Sequence, residues 1–161
     1  MAMIIDGTNG ITFNNNTVQA SAGQVLQVVN ATYGTIQTTS SSTFTDTGLT
    51  ATITPKFATS KILVLVNQCG VRKDTGNTGV GLRLLRGSTV ILKFEDAAGN
   101  TDSSAQNFIG SVSTCYVDSP ATTSATTYKT QFNSWANIAN ARVQVFDGAT
   151  ASTITLMEIA A

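Results

Sequence analysis

The fold of this chain is decided by the stretch Lys61-Ile62-Leu63-Val64-Leu65-Val66-Asn67-Gln68-Cys69. Successive side chains of a β-strand point to opposite faces, so a strand with one wet face alternates apolar and polar residues. Here Ile62, Val64 and Val66 would line one face, and Leu63 and Leu65 the other. A short apolar run that is rich in β-branched residues and followed by a glycine predicts a strand buried on both faces rather than a helix.

The second apolar face of this strand predicts self-assembly. Burial of an apolar side chain is worth roughly 1.5–3 kcal/mol, and the outer face of a sheet in a small sandwich normally meets water. We therefore expect another copy of the chain to cover it. The last strand, Thr153–Ile159, is also apolar on both faces, and we expect it to lie beside the first in an inner sheet at a symmetry axis. The predicted interface residues are Leu63, Leu65, Met157 and Ile159.

The composition indicates one neutral domain. The chain has 161 residues, of which 11 % are charged against roughly 25 % in typical soluble domains, and its formal net charge is zero. A neutral surface of hydroxyls and amides gives no electrostatic attraction to nucleic acid or to anionic lipid. No segment has the pattern of a secretory leader or of a membrane-spanning helix. We expect a protein that is made in a cytoplasm and stays soluble until it assembles.

Short strands separated by turn signals predict an all-β fold, an antiparallel β-sandwich of jelly-roll type formed by residues 23–161. Phe44–Leu49 has the pattern of a strand end followed by a turn, and polar loops are predicted at residues 72–79, 96–104 and 133–140. Residues 1–22 differ: Ile11–Phe13 and Thr17–Gln19 flank three asparagines and predict a small β-hairpin. A lone hairpin is marginally stable, so we expect this segment to be an anchor docked on a partner surface, with packing on its own sandwich as the alternative. Its candidate anchor residues are Ile4, Ile5, Ile11, Phe13 and Val18.

The residues do not form a pattern able to do chemistry, and we expect neither an enzyme nor a cofactor. The chain has no histidine, which excludes the usual nucleophile pairs and imidazole metal sites. The two cysteines, Cys69 and Cys115, are predicted to be buried free thiols, with a disulfide between neighbouring strands as the alternative. Glu95 and Asp96 are adjacent, so a strand would point them to opposite faces, which does not suit a carboxylate pair.

The candidate ligand-binding residues lie in the predicted loops. Asp96, Asn100 and Asp102 offer oxygen ligands for calcium, but they lack the spacing of a helix-loop-helix calcium site, and a solvated turn with no metal is the favoured interpretation. Trp135 and Tyr116 could stack on a sugar ring, although each of these residue types is more often found in a core or at a protein interface.

Several segments, taken in order, resemble one family. They are Ile11–Phe13 with Thr17–Gln19, Gly23–Val29, Phe44–Leu49, Ile53–Pro55, Ala58–Val64, Asp118–Pro120 and Ile154–Glu158. This order is similar to the "ITF…GTVQ", "GKVLQVV" and "FTDTGL…ITP…ATSKILV" elements of phage tail-fibre-like proteins, most of all those of marine and cyanobacterial phages. The resemblance covers nearly the whole chain.

The resemblance implies a non-enzymatic virion component whose globular module is a homotrimeric knob, similar in outline to the C1q and tumour-necrosis-factor jelly rolls. Its implied partners are further copies of itself, other virion proteins contacted through residues 1–22, and host surface glycans. The short part before the knob departs from the longer relatives, so a short fibre or spike is expected rather than a long fibre. Three alternatives remain: a capsid head fibre or cement protein, a free carbohydrate-binding module, and a hydrolase using converging carboxylates.

Overall fold

A computed structural model describes residues 4–6, 10–12, 18–19, 23–102, 106–136, 140–145 and 150–161, the first three ranges as backbone alone. All regular structure in these ranges is β-strand, and no helix that could cross a lipid bilayer occurs in them. The strands are β1 (Ile4–Asp6), β2 (Gly10–Thr12), β3 (Val18–Gln19), β4 (Val25–Tyr33), β5 (Gln37–Thr39), β6 (Thr45–Ile53), β7 (Lys61–Lys73), β8 (Val80–Arg86), β9 (Thr89–Ala98), β10 (Asn107–Asp118), β11 (Thr126–Ser134), β12 (Ala141–Val143) and β13 (Ser152–Ile159).

The strands after residue 23 form two antiparallel sheets. The six-stranded sheet has the order β4-β13-β7-β12-β5, and β10 pairs with the other edge of β7. The four-stranded sheet has the order β6-β11-β8-β9. The predicted antiparallel β-sandwich is therefore confirmed, and so is the placement of the last strand beside the core strand, with Met157 opposite Leu63.

Residues 1–22 contribute a separate three-stranded sheet. Strands β2 and β3 pair antiparallel, with Ile11 opposite Gln19 and Thr12 opposite Val18, as the predicted hairpin requires. Strand β1, which was not predicted, pairs with the other edge of β2 and places Ile5 opposite Ile11.

Each sheet buries one face in a shared core. On β7, Ile62, Val64 and Val66 are 0–3 % exposed, and on β11 Tyr128 and Phe132 are fully buried while Lys129 and Gln131 point outward, as their alternation predicts. At one end of the sandwich Gly23 donates its N–H to the Ala160 carbonyl, and we call this the entry end. The end at which β7 and β11 finish is called the loop end.

A buried polar layer divides the core into two apolar halves. Val64, Leu156 and Tyr128 belong to the cluster nearer the entry end, and Val71 and Phe132 to the cluster nearer the loop end. Between them lie the buried polar residues Thr47, Gln68, Thr130, Gln144 and Ser152.

The Ser152 hydroxyl holds this polar layer together. It accepts hydrogen bonds from the side-chain amides of Gln68 (2.8 Å) and Gln144 (3.0 Å) and from the Cys69 N–H (2.9 Å). The Gln68 carbonyl in turn accepts from Thr130 of the facing sheet at 3.0 Å. The layer therefore links the two sheets through a directional contact as well as by apolar packing.

Two strand boundaries predicted from the sequence, at Gly70 and at Gly48, are wrong, and the positive φ of these glycines explains why. Gly70 does not end β7, which continues to Lys73, because φ = +59° lets the strand bulge and change its alternation there. A Cβ on Gly70 would lie 2.4 Å from the backbone nitrogen of Val145. Gly48 (φ = +86°) likewise forms a bulge within β6 rather than the predicted turn, and the Tyr33 ring packs against it. The predicted loops at 72–79, 96–104 and 133–140 also begin later than expected, because β7, β9 and β11 run into them.

An inter-sheet contact closes the entry end. The Tyr128 hydroxyl donates to the Asp118 carboxylate at 2.6 Å, and Arg86 donates to both oxygens of that carboxylate at 2.9 Å. Burial, and then the hydrogen bond to Asp118, raise the pKa of Tyr128 well above its ordinary value. Tyr128 therefore stays a neutral donor throughout the pH range in which the protein would be handled.

Glu158 is a buried acid that fixes the loop between β6 and β7. Its carboxylate accepts hydrogen bonds from the Gln27 amide (2.5 Å) and from the backbone N–H groups of Lys56 (2.7 Å) and Phe57 (3.4 Å). Burial alone raises the pKa of this carboxyl, but the hydrogen bonds outweigh it, and the pKa lies below its ordinary value.

Replacement of Ser152 by Ala is expected to lower the free energy of unfolding by about 2 kcal/mol, because it leaves buried amide donors unpaired. Urea denaturation measures this change. Thr153→Ala on the next, outward-facing position of β13 is the control and should change stability by less than about 0.5 kcal/mol. Equal losses for both variants would contradict a special role for the polar layer.

Replacement of Glu158 by Gln should remove part of the acid sensitivity of the fold. A carboxyl whose pKa is lowered by folding stabilises the fold above its unfolded pKa of about 4.3, and this contribution disappears as the pH falls through the folded value. Urea unfolding between pH 7 and pH 3 should show a smaller decline for Glu158→Gln than for the wild type, together with a loss of about 1–3 kcal/mol at pH 7. The control Thr153→Ala, at a position without a titrating group, should keep the wild-type pH dependence.

Candidate functional site

The outer face of the six-stranded sheet carries an apolar row across four strands. β10, β7, β13 and β4 place Val117, Leu63, Met157 and Val28 opposite one another in that order. Val28 is 55 % exposed and Val117 is 51 % exposed, while Leu63 and Met157 are partly exposed. Together these four residues, called the apolar row below, form a continuous apolar surface.

The surface around the apolar row is uncharged toward the loop end. The next row contains Cys115, Leu65, Thr155 and Asn30, and the one after it contains Ser113, Asn67, Thr153 and Thr32. Toward the entry end, Ile159 lies between Val25 and Lys61. Between Leu63 and Cys69 the outward residues of this face are thus apolar or neutral.

The outer face of the four-stranded sheet has the opposite character. Asp46 accepts from Lys129 at 2.9 Å and from the Gln131 amide at 2.7 Å, and Gln131 accepts from Arg83 at 2.6 Å. Partial burial raises the pKa of Asp46, but the bonds from Lys129 and Gln131 outweigh it and lower the pKa. Such a charged network suits contact with water, so the two sheets present different surfaces.

The structure brings all four predicted interface residues together. Leu63, Leu65, Met157 and Ile159 lie on the same outward face of adjacent strands β7 and β13. Sequence reasoning missed Val28 and Val117, which complete the apolar row on β4 and β10. The signal for Val117 was weak, because the same face of its strand also carries Ser111, Ser113 and Cys115.

The candidate anchor residues are only partly described. Ile4 and Ile5 lie on β1, Ile11 on β2 and Val18 on β3, with their side chains outside the described structure. Phe13 lies outside the described residues altogether. Their role as a virion anchor stays a prediction.

The candidate ligand residues lie at the loop end, opposite the entry end. Trp135 follows β11, is 47 % exposed, and donates its backbone N–H to the Gly79 carbonyl at 3.0 Å. Asn100 and Asp102 belong to the loop after β9, whose Thr101 carbonyl accepts from the Asn77 N–H at 2.8 Å. Asp96 was predicted in this loop but lies on β9, where its carboxylate pairs with Lys93.

The adjacent acids at the end of β9 have local partners. The Glu95 carboxylate accepts the backbone N–H groups of Asp96 (2.9 Å) and Ala97 (3.1 Å), and Asp96 pairs with Lys93. In the described part of the chain, no group of three or more histidine, cysteine or acidic residues could hold a metal ion. The acids of this region are therefore engaged in shaping the strand end.

Both cysteines are free thiols on the outer face of the six-stranded sheet. Cys69 is partly exposed and its sulfur accepts from the Asn67 amide at 3.3 Å. Cys115 is exposed, so the prediction that both thiols are buried is wrong. Cys115 lies opposite Leu65, which is an outward residue of β7, so Cys115 also points outward.

A scan of the chain against protein-family models gives no match, and a search of curated proteins gives none either. These comparisons therefore add nothing to what the residues and their geometry indicate about function.

Proposed function

We propose that this chain is a non-enzymatic structural protein of a phage virion, in which the sandwich forms a homotrimeric knob and residues 1–22 attach it to the particle. The observation that carries the self-assembly is the apolar row, whose neighbouring rows toward the loop end, up to Cys69, are neutral. Each of its side chains contributes up to about 1.5–3 kcal/mol when fully buried, and large apolar patches are uncommon on monomers. A second copy is the occupant that this neutral surface fits best.

The number of copies and the virion setting rest on the resemblance to phage tail-fibre-like proteins. In such modules three copies meet through their inner sheets. The contrast between the sheets agrees with this arrangement, because the outer face of the six-stranded sheet carries the apolar row, while that of the other sheet carries the network of Asp46, Lys129 and Arg83.

The positions of the two ends support a role in attachment. Gly23, where the anchor segment joins the sandwich, is at the entry end, and Trp135 is at the loop end. A knob held through residues 1–22 would direct its loop end away from the particle. Contact with a host surface would then fall to the loop-end residues. A tail fibre or spike and a capsid decoration protein share this geometry, and the position and copy number on the particle separate them.

The self-assembly proposal is tested by Leu63→Glu. The wild type should sediment with three times the 16.8 kDa mass of the chain, and the variant should sediment as a monomer, because three buried carboxylates near one axis repel and lose hydration. Light scattering after gel filtration gives the same masses. The control is Val90→Glu, a 44 % exposed position on β9 of the four-stranded sheet, which should stay trimeric. A monomeric wild type would overturn the trimer.

The anchor proposal is tested by deleting residues 1–22. The remaining chain should fold and assemble through the apolar row, yet be missing from purified particles. Mass spectrometry of particles made with the truncated or the full-length chain measures this difference. Normal incorporation of the truncated chain would rule out the anchor, and crosslinking of the full-length chain would identify the particle protein that residues 1–22 contact.

A further inference from the structure

A second row crosses the outer face of the six-stranded sheet at the loop end. Strands β10, β7, β12 and β5 place Phe108, Arg72, Arg142 and Thr38 opposite one another in that order. We call these four residues the arginine row. Arg72 follows Leu63 by nine positions on β7, so the arginine row lies on the order of 25–30 Å from the apolar row. The bulge at Gly70 is what turns Arg72 to the outer face.

The arginine row holds an excess positive charge. Like charges directly opposite one another on neighbouring strands are destabilising. Arg72 and Arg142 occupy such positions, and Asp74 lies between them, accepting from the Nε atom of Arg72 at 2.7 Å and of Arg142 at 2.8 Å. Two guanidinium groups against one carboxylate leave one uncompensated positive charge. In the described part of the chain no other carboxylate pairs with either arginine.

Both guanidinium groups use only part of their hydrogen-bond donors. Each donates through Nε, and among the described residues no acceptor contacts the terminal amino groups of either arginine. The side chains of Arg72, Asp74 and Arg142 are 15 %, 13 % and 32 % exposed, so the cluster is partly shielded from water. Partial shielding removes some of the hydration of this charge, so an added anion would gain more from these arginines than from fully exposed ones.

An exposed aromatic ring lies next to the charge. The Phe108 ring is 48 % exposed, and the Arg72 guanidinium lies 4.8 Å from its centroid. On the other side of the arginines, the exposed residue Thr38 presents a hydroxyl group. A cationic fork flanked by an aromatic ring and a hydroxyl matches the three kinds of surface of an acidic sugar: its anionic group, its apolar C–H face and its hydroxyls.

We propose that the arginine row binds a single monovalent oxyanion group of an acidic polysaccharide, the carboxylate of a uronic sugar or a sulfate ester. The excess charge of +1 matches one such group, and the planar guanidinium fork suits its oxygens. Nucleic acid fits poorly, because the chain is neutral overall and one excess charge cannot follow successive phosphates. A role of the arginine row in host recognition rests on the proposed function. Binding of the anionic group can be measured on the purified chain whether or not that function is correct.

Calorimetric titration of the full chain at low salt tests this assignment with three probes of similar length: oligogalacturonate, sulfated dextran oligosaccharide and neutral dextran oligosaccharide. One or both anionic probes should bind, more weakly as NaCl is raised, and the neutral probe should not. Binding of only one anionic probe identifies the source of the anion. Arg142→Gln should weaken binding about tenfold or more, the loss of a hydrogen bond between charged groups.

The chain offers a matched control and a variant of opposite sign. Arg83 also stacks on a phenylalanine, with its guanidinium 4.0 Å from the Phe44 ring, but it lies on the four-stranded sheet, so Arg83→Gln should bind as the wild type does. Asp74→Asn raises the excess charge and should tighten binding. Arg142→Lys keeps the positive charge but lacks the planar guanidinium group, so it should bind with intermediate affinity. This variant provides the test if Arg142→Gln does not fold.

Three binding results would overturn the assignment: no binding of either anionic probe, equal binding of the neutral probe, or equal losses in Arg142→Gln and Arg83→Gln. A change of sedimentation mass in Arg142→Gln would also overturn it, because the cluster would then belong to the interface between copies. If the chain does not bind the anionic probes but sediments as a trimer and is incorporated into particles, the proposed function stays intact. Binding by a monomeric wild type would instead leave the arginine row and remove the trimer.

Discussion

The apolar side chains that β7 carries on both faces are the constraint on which the rest of the structure depends. Its inward residues, Ile62, Val64 and Val66, are buried against the four-stranded sheet and form the core. Its outward residues Leu63 and Leu65 stay partly exposed beside Val117 and Met157. β7 is also paired along both edges, with β10 on one side and β13 and β12 on the other, so it lies at the centre of the apolar row.

The bulge at Gly70 divides β7 into two parts with different tasks. Before it, from Leu63 to Cys69, the outward residues are neutral or apolar and suit contact with another copy. After it the alternation changes, so that Val71 and Lys73 are buried and Arg72 points outward. The polar layer around Ser152 lies at the same level of the sandwich. Hydrogen bonds require defined partners, so this layer fixes how the two sheets are aligned in a way that apolar packing alone does not.

The same division gives the molecule a direction. The apolar row lies toward the entry end, close to Gly23, and the arginine row lies at the loop end, on the same face as the apolar row. The proposed sites of assembly and of ligand recognition therefore have separate positions on one sheet. If copies meet at the apolar row, their arginine rows would be repeated around the same axis, which is the arrangement in which weak individual sites gain strength by acting together.

The sequence by itself determined the all-β class and the outward position of Leu63, Leu65, Met157 and Ile159, because the two-residue period of a strand is a local property. It also led us to expect the last strand beside β7, which the structure confirmed and to which it gave a register. Only the tertiary structure decided where Gly48 and Gly70 act as bulges instead of strand ends, since positive φ is compatible with both. It also decided that Val28 and Val117 extend the apolar row and that Asp74 joins Arg72 to Arg142, 70 residues further along the chain. Such contacts depend on the register between strands distant in sequence, and no local pattern encodes that register.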